Sequence, residues 1–143
     1  MVENKIIQHK ISKNFTVEEM ACKCGNCDFS DPEIDIGRLL APIFVQKLQS
    51  MRSDLDKPFK VLSAARCEDH NLVVGGAKDS AHIVSQEKPS CAADICLVGW
   101  TSNERYMVLR AAIRFNMWGI GIYKNFIHVD SRKSRKSSWW GNY

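Results

Sequence analysis

Two histidines and an aspartate are spaced so that they could share one cation. Ser80-Ala81-His82 is followed by Ala92-Ala93-Asp94-Ile95, and the chain later returns with Phe126-Ile127-His128-Val129-Asp130. Imidazole nitrogens and carboxylate oxygens are zinc donors, and a catalytic zinc takes three such groups from the protein, keeping a fourth position for water or substrate. His82, Asp94 and His128 are the candidate ligands. Both segments read as short strands, where side chains alternate faces. On the second, Phe126, His128 and Asp130 share one face, and Ile127 and Val129 point the other way into a core. Asp130 therefore falls on the metal side, as a general base or as a partner to a ligand. Ala92 to Val98 is apolar around Asp94, and a carboxylate buried there must be paired or metal-bound.

The elements that must position these groups follow from periodicity and caps. Thr16-Val17-Glu18-Glu19 fits a capping box, in which hydroxyl and carboxylate satisfy each other's backbone donors, and predicts a short helix from Val17 to Ala21. From Ile34 to Leu55, Leu39, Leu40, Ile43, Phe44, Leu48 and Met51 form one apolar face of a long helix, with Pro42 either starting a new helix or kinking it. Phe59 to Ala64 reads as a strand after the Lys57-Pro58 turn. Arg66, just past it, could clamp a carboxylate with its planar fork or form a surface ion pair. Val74-Gly75-Gly76-Ala77 reads as a tight turn. Thr101-Ser102-Asn103-Glu104 is a second capping box, opening a helix to about Asn116 with Met107, Leu109, Ala112, Ile113 and Phe115 inward. Trp118 to Tyr123 and Phe126 to Ser131 are the last strands, with glycines where another backbone or a ligand approaches.

The chain has 143 residues, 45% hydrophobic and 25% charged, which suits one domain with its own core, framed by an N-terminal arm over 1–14 and a basic, aromatic tail over 133–143. No apolar run is long enough to span a membrane, and no secretory signal is visible, so synthesis in the cytoplasm is expected, with any action on a cell wall following release. The net charge is +4, with Arg132, Lys133, Arg135 and Lys136 clustered near the end. Such a cluster suits an anionic polymer or is a solvated tail. No nucleic-acid motif accompanies it, so no nucleic-acid partner is expected. Trp139-Trp140 would pack on the domain or bind a sugar face.

Six cysteines stand in the chain. Cys22-Lys23-Cys24-Gly25-Asn26-Cys27 offers three thiolates for a second, structural metal, with no adjacent fourth ligand. Reduced thiols or disulfides are the alternatives.

Taken in order, Ser63-Ala-Ala-Arg66-Cys67, His70-Asn71, Val74-Gly75-Gly76, Ser80-x-His82, Ala92-x-Asp94-Ile95, Gly119-Ile-Gly121-x-Tyr123 and Phe126-Ile-His128-Val-Asp130-x-Arg132 resemble the zinc D-Ala-D-Ala carboxypeptidase-like family, peptidase family M15 of the A type. The opening, Phe15-Thr-Val-Glu-Glu-Met-Ala-Cys22-Lys-Cys24-Gly, is similar to the start of phage-lysin members. The resemblance covers roughly residues 11 to 132. It implies an α+β fold, with a small antiparallel sheet backed by helices, shared with the hedgehog signalling domain. It implies Zn2+ held by His82, Asp94 and His128, with Arg66 and Ser80 binding the substrate's terminal carboxylate or backbone. The implied substrate is a peptidoglycan stem peptide, cut by a monomeric carboxypeptidase or endopeptidase. A non-catalytic zinc module binding a partner is the alternative within the same fold. The family's pattern is His-x-x-Gly-x-Ala-x-Asp. Here His82 and Asp94 are twelve positions apart, and Ser90 stands where the glycine would be. A loop insertion is tolerable because added length costs little closure entropy. Relatives often carry a base two or three residues before the last ligand. Asn125 and Phe126 occupy those positions here, which leaves Asp130 for the role.

Overall fold

The computed structural model describes residues 9–133 and 137–141. The helices are α1 (Val17–Met20), α2 (Ile36–Leu39), α3 (Pro42–Leu55), α4 (Glu68–Val73) and α5 (Ser102–Arg114). The strands are β1 (Val61–Ser63), β2 (Ala92–Cys96), β3 (Gly119–Ile122), β4 (Phe126–Asp130) and β5 (Ser137–Trp140). The sheet order is β1-β2-β4-β3-β5. The expected α+β architecture is present. The first four strands pair antiparallel, while β5 joins the edge parallel to β3, so the sheet is mixed. That fifth strand comes from the segment read from sequence as a tail, whose short Ser-Ser-Trp-Trp run gives little warning of it. Arg135 and Lys136 lie outside the described residues.

Both capping boxes form, at Thr16–Glu19 and Thr101–Glu104. Pro42 sits in the first turn of α3, where its missing N–H costs nothing, and the preceding helix ends at Leu39. The chain is therefore broken between Leu39 and Pro42 rather than continuous. The inward face of α3 is Phe44, Leu48 and Met51, and Ile43 is exposed. On α5 the buried residues are Val108, Ala111 and Ala112, whereas Met107 and Ile113 face outward. The buried face is thus rotated somewhat from the one that apolar periodicity predicts: Ala112 is buried and Leu109 and Phe115 pack partly buried against the core as expected, while Val108 and Ala111 turn inward in place of Met107 and Ile113. The N-terminal arm is tied down from residue 9, where Val17 N–H donates to the His9 carbonyl and Ser12 hydroxyl to Gln49.

The sheet has two chemically different faces. Ala93, Ile95, Ile127 and Val129 join the core together with the buried faces of α3 and α5. The opposite face carries the polar residues, because β2 and β4 pair with Asp94 directly across from His128. Register extends this row over the whole sheet: Ser63 pairs with Asp94, Asp94 with His128, His128 with Gly121, and Gly121 with Trp139. Among the described residues no helix is long and apolar enough to cross a membrane.

Candidate metal centre

Asp94 and His128 come from the middles of adjacent antiparallel strands, where backbone pairing fixes their separation. His82 arrives differently. Ser80–His82 is a turn rather than a strand, and it is held at both ends. The Arg66 N–H donates to the His82 carbonyl, Cys91 N–H to the Ala81 carbonyl, and His82 N–H to the Ser80 hydroxyl. The insertion between His82 and Asp94 is a closed loop. Ser85 N–H reaches the Lys88 carbonyl, and the fully buried Ser90 bonds to Leu39, Ala41 and Ala81. The extra residues therefore leave the site without displacing Asp94.

His82 Nε2, Asp94 Oδ1 and His128 Nδ1 form a triangle with all three edges 3.1 Å. Three ligand atoms on a tetrahedral zinc, at bonds of about 2.0–2.2 Å, stand roughly 3.3–3.6 Å apart. The three residues are buried, with 2%, 8% and 7% exposure respectively.

Outer partners determine what the triangle presents. His82 Nδ1 lies 2.7 Å from the Ala64 carbonyl, which can only accept, so that nitrogen carries the proton. His128 Nε2 lies 2.8 Å from Asp130 Oδ2 and donates to it. With both rings neutral, Nε2 of His82 and Nδ1 of His128 offer lone pairs towards an Asp94 oxygen. Three acceptors converging in a buried place require a cation or a proton between them. The donor set fits zinc, and each ligand has the outer hydrogen bond that orients metal-binding histidines and carboxylates.

Asp94 Oδ2 accepts from Arg66 Nη2 at 3.2 Å. Arg66 also donates to Ser63 Oγ at 3.0 Å and Asn71 Oδ1 at 3.3 Å. Arg66 is thus not a surface ion pair but the outer partner of Asp94. Gly76 makes room for it: a Cβ there would collide with the Asn71 amide. Asn71 stands among the family-like residues, but neither its bond to Arg66 nor the helix α4 was foreseen, since six residues with a cysteine cap give no periodic signal. Ser80 is half-buried, and its hydroxyl shapes the turn that presents His82.

Asp130 is fully buried. Besides His128 it accepts from Arg132 Nη2 at 2.7 Å and Arg132 Nε at 2.8 Å. Gly119 lies opposite, and any side chain there would run into the Asp130 carboxylate. Of the two roles that sequence leaves open for Asp130, base or ligand partner, its contacts are those of a partner. The Trp139 ring lies 5.0 Å from His128, over Gly121, and its Nε1 donates to Tyr123 Oη at 2.8 Å. It packs as expected for an adjacent Trp; the Trp140 side chain lies outside the described residues.

Burial favours the neutral forms of Asp94 and Asp130. In the metal-free protein, where protons take the cation's place between the ligand atoms, hydrogen bonds from His128 and His82 to Asp94, and from His128 and Arg132 to Asp130, overcome it and hold both carboxyls far below their ordinary range. For His128, burial favours the neutral ring, but the bonds to Asp130 and Asp94 outweigh it and raise its pKa. The signs give a prediction for the metal-free protein. The depressed carboxylates stabilise it above about pH 4, and that contribution drains away as pH falls through their folded values. The raised imidazole stabilises it at lower pH and loses its effect as pH rises through the folded value. Urea unfolding of zinc-stripped protein from about pH 3 to about pH 9 should therefore show a stability maximum between these limits, and a flat profile would contradict the coupling.

Together, fold and cluster define a small α+β protein with a three-donor cluster able to hold a cation on one face of its sheet. The Peptidase M15 family matches residues 13–130, and the chain belongs to that family. Membership in that family supports a peptidase, and peptidases of this family are zinc enzymes. No curated protein matches the chain.

Proposed function

We propose that the chain is a zinc-dependent peptidase that hydrolyses peptidoglycan stem peptides, as a D-Ala-D-Ala carboxypeptidase or a cell-wall endopeptidase of the phage-lysin kind. The observation that carries this reading is the triangle of lone pairs from His82, Asp94 and His128, in a chain of the M15 family. A bound zinc supplies Lewis-acid polarisation of the peptide carbonyl and lowers the pKa of water at the site. The protein's own groups do the remainder. Ala64 and Asp130 keep the two imidazoles in the tautomers that point lone pairs inward, and Arg66 holds Asp94. Asp130 is assigned here to positioning rather than to proton abstraction. A carboxylate bound by an imidazole and an arginine, with its pKa depressed, is a weak base.

That same observation favours a second reading, a non-catalytic zinc module of this fold that binds a partner. The deciding experiment is incubation of zinc-loaded protein with stem peptides ending in D-Ala-D-Ala and with intact peptidoglycan, followed by mass analysis. Released D-alanine indicates a carboxypeptidase, and internal cuts indicate an endopeptidase. Stoichiometric zinc with no cleavage of either substrate would establish the binding module.

Arg66 and Ser80 are proposed to contact the substrate from beside the cluster. Arg66→Lys separates two roles, because an ammonium cannot reach Ser63, Asn71 and Asp94 together. If Arg66 chiefly orients Asp94, zinc affinity should fall roughly 10–100-fold. If it chiefly clamps substrate, KM should rise with zinc affinity unchanged.

A further inference from the structure

Cys22, Cys24 and Cys27 acquire in three dimensions the partner that their sequence neighbourhood lacks. Cys67, at the start of α4, places its thiol among them, and all four sulfurs lie within 4.8 Å of one another. The separation between the Cys67 and Cys24 sulfurs is 4.0 Å. Sulfurs on a tetrahedral zinc, at about 2.3 Å each, stand roughly 3.8 Å apart. We propose that these four cysteines form a second metal site, a closed tetrahedral zinc centre of four thiolates with a structural role.

Three features carry the assignment. All four sulfurs converge on one point, whereas two disulfides would draw them into separate pairs. Backbone donors face the sulfurs, as they do around thiolate ligands: Cys67 N–H donates to Cys22 Sγ at 3.3 Å and His70 N–H to Cys67 Sγ at 3.4 Å. The Ser30 hydroxyl lies 3.5 Å from Cys24 Sγ and 3.4 Å from Cys27 Sγ, and donates to the Cys22 carbonyl, gathering the loop around the centre. Four protein ligands leave no open position, which separates this site from the His–Asp–His cluster and marks it as structural.

The site has a clear structural task. Between α1 and α2 the described chain holds only a single helical turn, Asp28–Ser30, and contributes one large core side chain, Phe29. A metal there clips this loop to Cys67, which directly follows Arg66. The loop, the start of α4 and the arginine that holds Asp94 would then be fixed together.

The test uses full-length protein carrying His82→Ala, so that metal at the other cluster is not counted. It is expected to retain about one zinc per chain after dialysis, and its cobalt form should show thiolate-to-cobalt charge-transfer absorption. Stripping the metal should lower the unfolding midpoint by on the order of 10 °C. Adding Cys67→Ser should abolish both the zinc and the absorption, Cys67→His should restore binding, and Cys91→Ser, outside the cluster, should change neither. A His82→Ala protein without metal overturns the proposal, as does charge-transfer absorption that survives Cys67→Ser, or iron in place of zinc. So does a thiol titration in denaturant, after chelation, that finds these cysteines paired. If the His82→Ala protein keeps its zinc but wild type also carries only one, the four-thiolate centre stands and the peptidase reading falls.

Discussion

Replacing His82 or His128 by alanine is expected to remove one zinc equivalent per chain and to reduce peptide hydrolysis to background. Each histidine provides one corner of a triangle whose edges are all 3.1 Å. With one corner gone, two donors remain, and nothing described holds a substitute at that spot. The Lewis-acid contribution of a catalytic zinc is several kcal/mol, which corresponds to roughly 10^3-fold or more in rate. Truncation also empties a buried pocket, so circular dichroism and an unfolding midpoint must accompany the assay. His82→Ala removes the donor to the Ala64 carbonyl, and His128→Ala frees Asp130 to keep Arg132 alone. A folded variant of either kind with full zinc and full activity would remove the site from consideration.

The second large effect is expected at Asp130. Asp130→Ala leaves the His128 Nε2–H without an acceptor in the interior and deprives the Arg132 guanidinium of both its hydrogen bonds to the carboxylate, leaving it over the Trp139 ring. Breaking a buried ion pair on one side costs about 3–5 kcal/mol. Arg132 is about a third exposed and can be resolvated, which places the expected loss near the lower limit, about 3 kcal/mol by chemical denaturation. Asp130→Asn keeps the volume and one acceptor, and separates stability from tuning. It should fold, and bind zinc roughly 10–100-fold more weakly because His128 is less basic and less firmly oriented. If Asp130 acts instead as the proton acceptor, Asp130→Asn would lose kcat at unchanged zinc affinity. The two constants measured together distinguish these roles.

The local parts of this protein were legible in its residues. Both capping boxes, the alternation along β4 and the apolar run of β2 around one carboxylate are short-range patterns, and short-range sterics and hydrogen bonds determine them; Pro42 left open a helix start or a kink, and it is a start. The candidate ligands could be named for the same reason: an aspartate within an apolar strand is unexplained until something neutralises it. The inward face of α5 was legible in part: Ala112, Leu109 and Phe115 turn to the core, whereas Met107 and Ile113 lie outward, because burial depends on the elements that pack against the helix and not on its own periodicity.

Tertiary structure alone decided three matters, and all join groups that no local pattern links. Cys67 meets Cys24 across 43 positions, and nothing in the intervening sequence records which distant thiol closes a cluster. Arg66 turns to Asp94, 28 positions on, because Ser63 and Asn71 aim its fork. Ser137–Trp140 becomes a parallel strand because β3 leaves an edge open and Gly121 leaves space for the Trp139 ring. That Asp130 lies beside His128 was legible in the alternation along β4; the structure adds that Arg132 closes over the carboxylate and holds it as a partner. Residue types and periodicity determined which groups this chain can use. Strand register and loop closure, which act over the whole chain, determined what each group faces.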